Sequence, residues 1–203
     1  MKIGLYFGTF NPIHVGHLII ANHMAEHSDL DQVWMVVTPH NPHKKKSTLL
    51  DDFHRLHMVH LATAEFDKIK PSDIEFKLSQ PNYTVNTLVH LEEKYPNHEF
   101  SLIMGEDNLK SLNKWKNYEV ILQNHNIYVY PRLESKGQTS EAISSETANL
   151  DLKKHPRIHI IDAPVVEISS TFIRNNIKEG KNIQPLLPVQ VWDYIDHNLF
   201  YKK

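Results

Sequence analysis

The chain has 203 residues, 40% hydrophobic and 23% charged, with a formal net charge of −2, which suits one domain with a substantial core and excludes fibrous or wholly disordered classes. The same charge argues against a protein that binds nucleic acid chiefly by neutralising phosphates. No run approaches the ~20 apolar residues of a membrane span, MKIGLYFGTFNPIH lacks the h-region of a signal peptide, and zero cysteines removes disulfides and Cys nucleophiles, so the cytoplasm is the expected compartment.

Apolar runs alternate with helical patterns along the chain, the sequence form of a parallel α/β sheet covered by helices on both faces. KIGLYF (2–7) predicts the first strand, and Ile13 to about His27 a helix with Pro12 at its first turn. QVWMVV (32–37) predicts the second strand. DDFHRLHMVHLATAEF then opens on Asp caps and repeats apolar residues at Phe53, Leu56, Val59 and Ala62, an amphipathic helix. DIEFKL (73–78) reads as the third strand, and a helix starts near Thr84. FSLIM (100–104) predicts a fourth strand, followed by short helices over 108–115 and 118–123. IYVY (127–130) and RIHIID (157–162) complete the sheet, with the Ser-, Thr-, Glu- and Lys-rich stretch 134–150 as a polar loop within one domain spanning 1–203. Two C-terminal helices close the chain, SSTFIRNNIKEG with Ser caps and Gly180 at its stop, and PVQVWDYIDHN opened by Pro188.

The chemistry concentrates where the first strand ends, in FGTFNPIHVGH. Gly8 permits a tight turn, and His14 and His17 fall at i and i+3 near a helix N-terminus, where unpaired N–H groups and about half a positive charge attract anions. That describes a phosphate site at the carboxyl end of a strand; the competing reading of the pair alone is a polar helix face. The six glycines cannot supply G-x-G-x-x-G or a P-loop. In ISSTFIR, Ser169 or Ser170 caps a helix and Arg174 projects one turn later, which suits a triphosphate tail or a plain capped helix. The Lys run 44–46 follows the second strand and is either a mobile phosphate contact or a solvated loop. The 15 histidines recur as His14/His17, His40/His43 and His54/His57/His60, but no carboxylate or thiolate completes a ligand set, so no protein-held metal is expected.

Together these motifs resemble those of the bacterial nicotinate-nucleotide adenylyltransferases, within the nucleotidyltransferase superfamily marked by T/H-x-G-H and I-S-S-T-x-I-R. TPHNPHKK is similar to the family's Pro-Pro-His-Lys loop, HRLHM to its Arg-x-x-Met helix, and QPNYTVNTL to its Pro-Ser-Tyr-Thr-x-x-Thr-Leu segment. MGEDNLKSLNKW resembles its Gly-x-Asp segment with a following Trp, and IQPLLPVQVWDYIDHNLFY its C-terminal stretch. Departures are Phe7 where many members have Gly, Asn11 where Asp is common, and Asn82 in place of Ser.

The resemblance implies a Rossmann-like doubly wound sheet of the nucleotidyltransferase type with C-terminal helices. It implies transfer of AMP from ATP to nicotinate mononucleotide, giving nicotinate adenine dinucleotide and pyrophosphate, with Mg²⁺ held mainly by ATP phosphates and water. His14, His17, Lys44 and Arg174 are then the catalytic set. Gly8, Thr9, Phe10, His17, Gly105, Asp107, Ile168, Ser169, Ser170 and Arg174 would bind ATP. Asn11, Lys44, Tyr83, Thr84 and Trp115 would bind the acceptor, with Thr84 at a helix N-terminus facing the nicotinate carboxylate and Trp115 on the pyridine ring. Read without the family, Trp115 is a core aromatic. ATP and nicotinate mononucleotide are the expected partners, with no nucleic acid or membrane, and a homo-oligomer is left open. Pantetheine-phosphate adenylyltransferase, a non-catalytic nucleotide sensor and a histidine-rich metal binder are the competing functions.

Overall fold

A computed structural model describes residues 1–39, 49–132 and 152–202. Six strands form one parallel sheet in the order β3-β2-β1-β4-β5-β6. They are β1 (Lys2–Gly8), β2 (Gln32–Val37), β3 (Ile69–Ser72), β4 (Glu99–Gly105), β5 (Ile127–Tyr130) and β6 (Ile158–Ile160). The helices are α1 (Val15–His27), α2 (Asp52–Thr63), α3 (Thr84–Lys94), α4 (Glu106–Leu109), α5 (Tyr118–Asn124), α6 (Ser170–Lys178) and α7 (Val189–His197).

Strand periodicity of two sends alternate side chains to opposite faces, so the sheet divides two cores. Tyr6, Met35, Ile103 and Tyr128 face a core closed by Met24 of α1, Met58 of α2, Ile173 of α6 and Ile195 of α7. Ile3, Leu5, Leu102 and Val129 face the other, closed by Leu88 and Leu91 of α3 and Ile121 of α5. Burial on both sides is why these strands are apolar throughout.

Several expectations are corrected. The third strand is Ile69–Ser72, not 73–78; Ile74–Lys77 is one turn of 3-10 helix. Despite the apolar alternation of IEFKL, the buried residues of this turn are the adjacent pair Ile74 and Glu75, with Phe76 N–H donating to Asp73 O at 2.8 Å. An edge strand tolerates Pro71, which cannot donate to a ladder. The expected 108–115 helix is two short pieces, Glu106–Leu109 and Leu112–Lys114. In α2 the buried stripe is Arg55, Met58, Val59 and Ala62, while Phe53 is 72% exposed. The first helix begins at Val15, and Pro12 precedes it after a cis peptide bond. The stretch 134–150 lies outside the described residues.

Candidate active site

β1 and β4 are neighbours, yet the chain leaves them for opposite faces, α1 packing on one core and Leu109 on the other. Such a topological switch opens a crevice at the carboxyl ends of the strands. Here it is a cavity of about 710 Å³.

The loop from β1 to α1 forms one wall. Phe10 turns back over Gly8 with φ of 43°, and a Cβ at position 8 would stand 2.7 Å from the Phe10 ring. Glycine is required there by the ring's approach. The Phe10 ring in turn meets His17 edge-on, with centroids 5.0 Å apart.

His14 is the N-cap of α1, in extended conformation, and its ring stacks on His17 with centroids 3.7 Å apart. The His14 backbone N–H donates to His17 Nδ1 at 3.2 Å. With Nδ1 accepting, the neutral His17 ring carries its proton on Nε2 and is a donor there. His14 is 4% exposed, and its Nδ1 has no hydrogen-bond partner among the described residues. Burial, with the Arg132 charge as a lesser cause, lowers its pKa to about 4, so the ring is neutral at pH 7.

The start of α6 forms a second wall. Ser169 caps it, accepting from Phe172 N–H at 3.2 Å, and Ser170 Oγ donates to Pro12 O at 2.9 Å. Arg174 Nη1 donates to Asn11 O at 2.7 Å and Nη2 to Thr171 Oγ1 at 3.2 Å. Thus the N-termini of α1 and α6 are stitched together and bring their positive dipole ends to one cavity.

Beneath the loop, fully buried Arg55 donates to Thr9 O at 2.6 Å, to Thr38 O at 3.0 Å and to Leu50 O at 2.9 Å, and pairs with Asp52. The far wall carries Asp107, after β4, paired at 3.0 Å with Arg132, after β5. Gly105 lets the Asp107 carboxylate lie against the backbone, since a Cβ there would stand 2.5 Å from its Oδ1. Tyr6 and Tyr130 hydroxyls meet at 3.1 Å, and burial raises the pKa of both.

The cavity therefore gathers Gly8, Thr9, Phe10, Asn11, His14 and His17 from one wall. Ile168, Ser169, Ser170 and Arg174 come from the second wall, and Asp107 from the third. Gly105 does not line the cavity but lies against the Asp107 carboxylate. Asn11 is 2% exposed, its Oδ1 accepting from Leu50 N–H at 3.2 Å and Tyr201 O–H at 2.8 Å. That oxygen is engaged in holding the loop. Tyr83, Thr84 and Trp115 do not line the cavity; Tyr83 and Trp115 pack on the second core, as does Phe7, which also lines the cavity. Lys44 lies outside the described residues, as do His40 and His43. Arg132 and Tyr130, which line the cavity, and Tyr201, which bonds to Asn11 behind it, are additional groups that the sequence did not single out. The signal for Arg132 was its place directly after an apolar strand, where side chains reach the crevice.

Among the described residues no cluster of three or more His, Cys, Asp or Glu side chains could hold a metal ion. His54 is occupied differently, its Nδ1 lying 2.7 Å from Tyr194 OH. No described helix is long and apolar enough to cross a membrane.

A family model described as cytidylyltransferase-like matches residues 5–176. A Flavobacterium johnsoniae protein named "Probable nicotinate-nucleotide adenylyltransferase" is 77% identical over 203 residues, all of both chains. A Bacteroides fragilis protein of the same name is 41% identical, over 96% of this chain and 90% of its own. The fold also matches the Plasmodium falciparum nicotinic acid mononucleotide adenylyltransferase complexed with NaAD, with a TM-score of 0.76 and 20% identity, covering 98% of this chain and 97% of that one.

Proposed function

The chain belongs to the nicotinate-nucleotide adenylyltransferases of the cytidylyltransferase-like family, and from that membership we propose that it transfers AMP from ATP to nicotinate mononucleotide, in NAD biosynthesis. The observation that carries the reading is the meeting of His14, His17 and Arg174, at two joined helix N-termini, in the switch-point cavity.

In the reaction an oxygen of the acceptor's 5′-phosphate attacks the α-phosphorus of ATP. The bond from that phosphorus to the bridging oxygen breaks, and pyrophosphate leaves with its electrons. The nucleophile is already an anion, so no general base is needed. Catalysis reduces to aligning two mutually repelling phosphates and stabilising charge on the bridging and non-bridging oxygens. His17 Nε2–H is the donor we assign to the α-phosphate, its direction fixed by the His14 N–H on Nδ1. Buried, neutral His14 and the Thr9 segment lie beside it. Arg174 and the first turn of α6 suit the β- and γ-phosphates, and Lys44 is assigned with them on the family resemblance. Asp107, Gly105 and Ile168 are assigned to the adenosine end.

A side-chain cage for Mg²⁺ is not supported by the donor set, since the carboxylate in the cavity, Asp107, is paired with Arg132. MgATP is therefore written as the substrate, the ion carried by phosphate oxygens and water. For the acceptor we keep the N-terminus of α3 at Tyr83 and Thr84, with Trp115 beside it. Their packing on the same core as Phe7 supports placing this subsite next to the cavity. A cytoplasmic setting fits a chain without cysteine.

The test is pyrophosphate release with MgATP and, separately, nicotinate mononucleotide, nicotinamide mononucleotide and phosphopantetheine. Nicotinate mononucleotide should give the highest kcat/KM. Preferential use of phosphopantetheine would overturn the reading.

A further inference from the structure

We propose that Tyr201 is a positioning residue for the phosphate site, acting through Asn11 on Arg174. This rests on the reading that Arg174 holds the ATP phosphates.

The hydroxyl of Tyr201 donates to Asn11 Oδ1 at 2.8 Å, across 190 positions of sequence. The same oxygen accepts from Leu50 N–H at 3.2 Å, so two donors from distant segments clamp the Asn11 side chain. The Asn11 carbonyl then accepts from Arg174 Nη1 at 2.7 Å. Asn11 is thus the middle of a relay whose far end is a guanidinium lining the cavity. An amide suits the post: its Oδ1 accepts both bonds without adding a negative charge beside Arg174 that would compete for it.

The segment after α7 is shaped to deliver this hydroxyl. Leu199 and Tyr201 have φ of 54° and 64°, in the left-handed region that side-chain-bearing residues rarely adopt. Such outliers persist where surrounding contacts over-determine them. Phe200, between them, packs against His54 of α2 at 4.8 Å and Tyr194 of α7 at 5.8 Å, and its N–H donates to Ile195 O at 3.0 Å. With Phe200 anchored, Tyr201 is turned toward the β1–α1 loop. A clasp serving stability alone would touch both substrates equally, whereas this relay ends on the triphosphate side.

Tyr201→Phe keeps the ring and removes the donor. MgATP affinity, read by titration calorimetry, should fall about three- to tenfold, the range for one lost hydrogen bond. The acceptor KM should stay within about twofold, a split that the relay predicts because only one substrate is held by Arg174. In an Arg174→Ala background, Tyr201→Phe should produce no further loss of MgATP affinity. Unchanged MgATP affinity in the single variant would overturn the proposal. So would an equal loss in the Arg174→Ala background, or a matched loss for both substrates accompanied by a lower Tm. Wild-type protein that binds MgATP yet adenylates none of the three acceptors would defeat the functional assignment, and the calorimetric comparison would still decide the role of Tyr201.

Discussion

The rings of His14 and His17 stack 3.7 Å apart at 25°, and the backbone N–H of one residue occupies Nδ1 of the other. This arrangement separates their roles. His17 is locked in the tautomer that donates from Nε2, while His14, buried and held neutral, buttresses the ring and offers a nitrogen with no described hydrogen-bond partner. Phe10 meets the His17 ring edge-on, with centroids 5.0 Å apart. A donor confined by two rings and one hydrogen bond needs little reorganisation when charge develops on a phosphate.

His17→Ala should therefore lower kcat by about a hundredfold or more, the size found when one preorganised donor is removed. Circular dichroism should stay close to wild type, because α1 keeps its N-terminal backbone bonds, including His17 N–H to His14 O at 3.0 Å, while Tm should fall modestly because the His14 N–H loses its acceptor, at a cost of about 1 kcal/mol. A folded variant with wild-type turnover would remove His17 from the mechanism.

Gly8→Ala tests the same ring from the other side. A methyl group 2.7 Å from the Phe10 ring forces Phe10 to move, at about 1–3 kcal/mol of stability for overpacking. Since Phe10 packs on His17, kcat should also fall by about ten- to a hundredfold, the scale of small misplacements in a site. Urea denaturation alongside steady-state kinetics separates the two effects, and unchanged kcat would show that Phe10 does not orient His17.

The pH dependence of stability carries a signature of His14. Its folded pKa of about 4 lies below the ordinary ~6.5, so between these values the unfolded chain binds more protons. The stability contributed is fully present above about pH 6.5 and is lost as pH falls toward 4. From pH 7 to 4.5 the loss attributable to this ring should be about 2 kcal/mol. His14→Asn should shrink the wild-type difference between these two pH values by that amount; an identical difference in both proteins would contradict a buried neutral ring.

Arg174→Lys keeps the charge and loses the planar fork that bonds Asn11 O and Thr171 Oγ1 together. KM for MgATP should rise about tenfold, since each ~1.4 kcal/mol is a factor of ten, with little change in acceptor KM. The reverse pattern, acceptor KM rising alone, would reassign Arg174 to the other substrate.

What the sequence made legible follows the range of the interactions involved. β1, β2, β4 and β5 were readable because both faces of each are buried, leaving unbroken apolar runs such as QVWMVV. β3 was not, because an edge strand with Lys70 and Pro71 carries little apolar signal, and the nearby IEFKL imitates one. His14, His17 and Arg174 stood in local motifs whose geometry a helix start dictates. Arg132 has a local cue in its place after β5, but its partner Asp107, like the Asn11 partner of Tyr201, lies far along the chain, and no local pattern announces such pairs.

With the acceptor subsite proposed at the start of α3, the expected preference between acid and amide acceptors follows from the charge there. Its first turn contains no acidic residue, and its N-cap, Tyr83, makes no side-chain cap bond, so the terminal N–H groups keep their donor character. Lys116 Nζ lies 4.4 Å from the centroid of the Tyr83 ring, adding a positive charge beside that terminus. The opposing group is Glu75, which the fold tucks under α3, where Thr87 Oγ1 donates to its Oε1 at 2.7 Å. Glu75 is 2% exposed, and burial raises its pKa, which weakens it as an anion. Its carboxyl is also committed to Thr87, one turn inside the helix. The balance at the terminus is thus positive and donor-rich. A carboxylate gains up to about 2 kcal/mol from the dipole when partly buried, whereas an amide turns its NH₂ toward donors and leaves groups unpaired at about 1–3 kcal/mol. Nicotinate mononucleotide should therefore exceed nicotinamide mononucleotide by at least about tenfold in kcat/KM. Lys116→Gln should narrow that ratio by lowering the acid's kcat/KM while leaving the amide's in place. Both acceptors are compared at equal Mg²⁺ and saturating ATP; equal efficiency in the wild type would show that the acceptor ring does not sit at α3, and an unchanged ratio in Lys116→Gln would show that Lys116 takes no part in the choice.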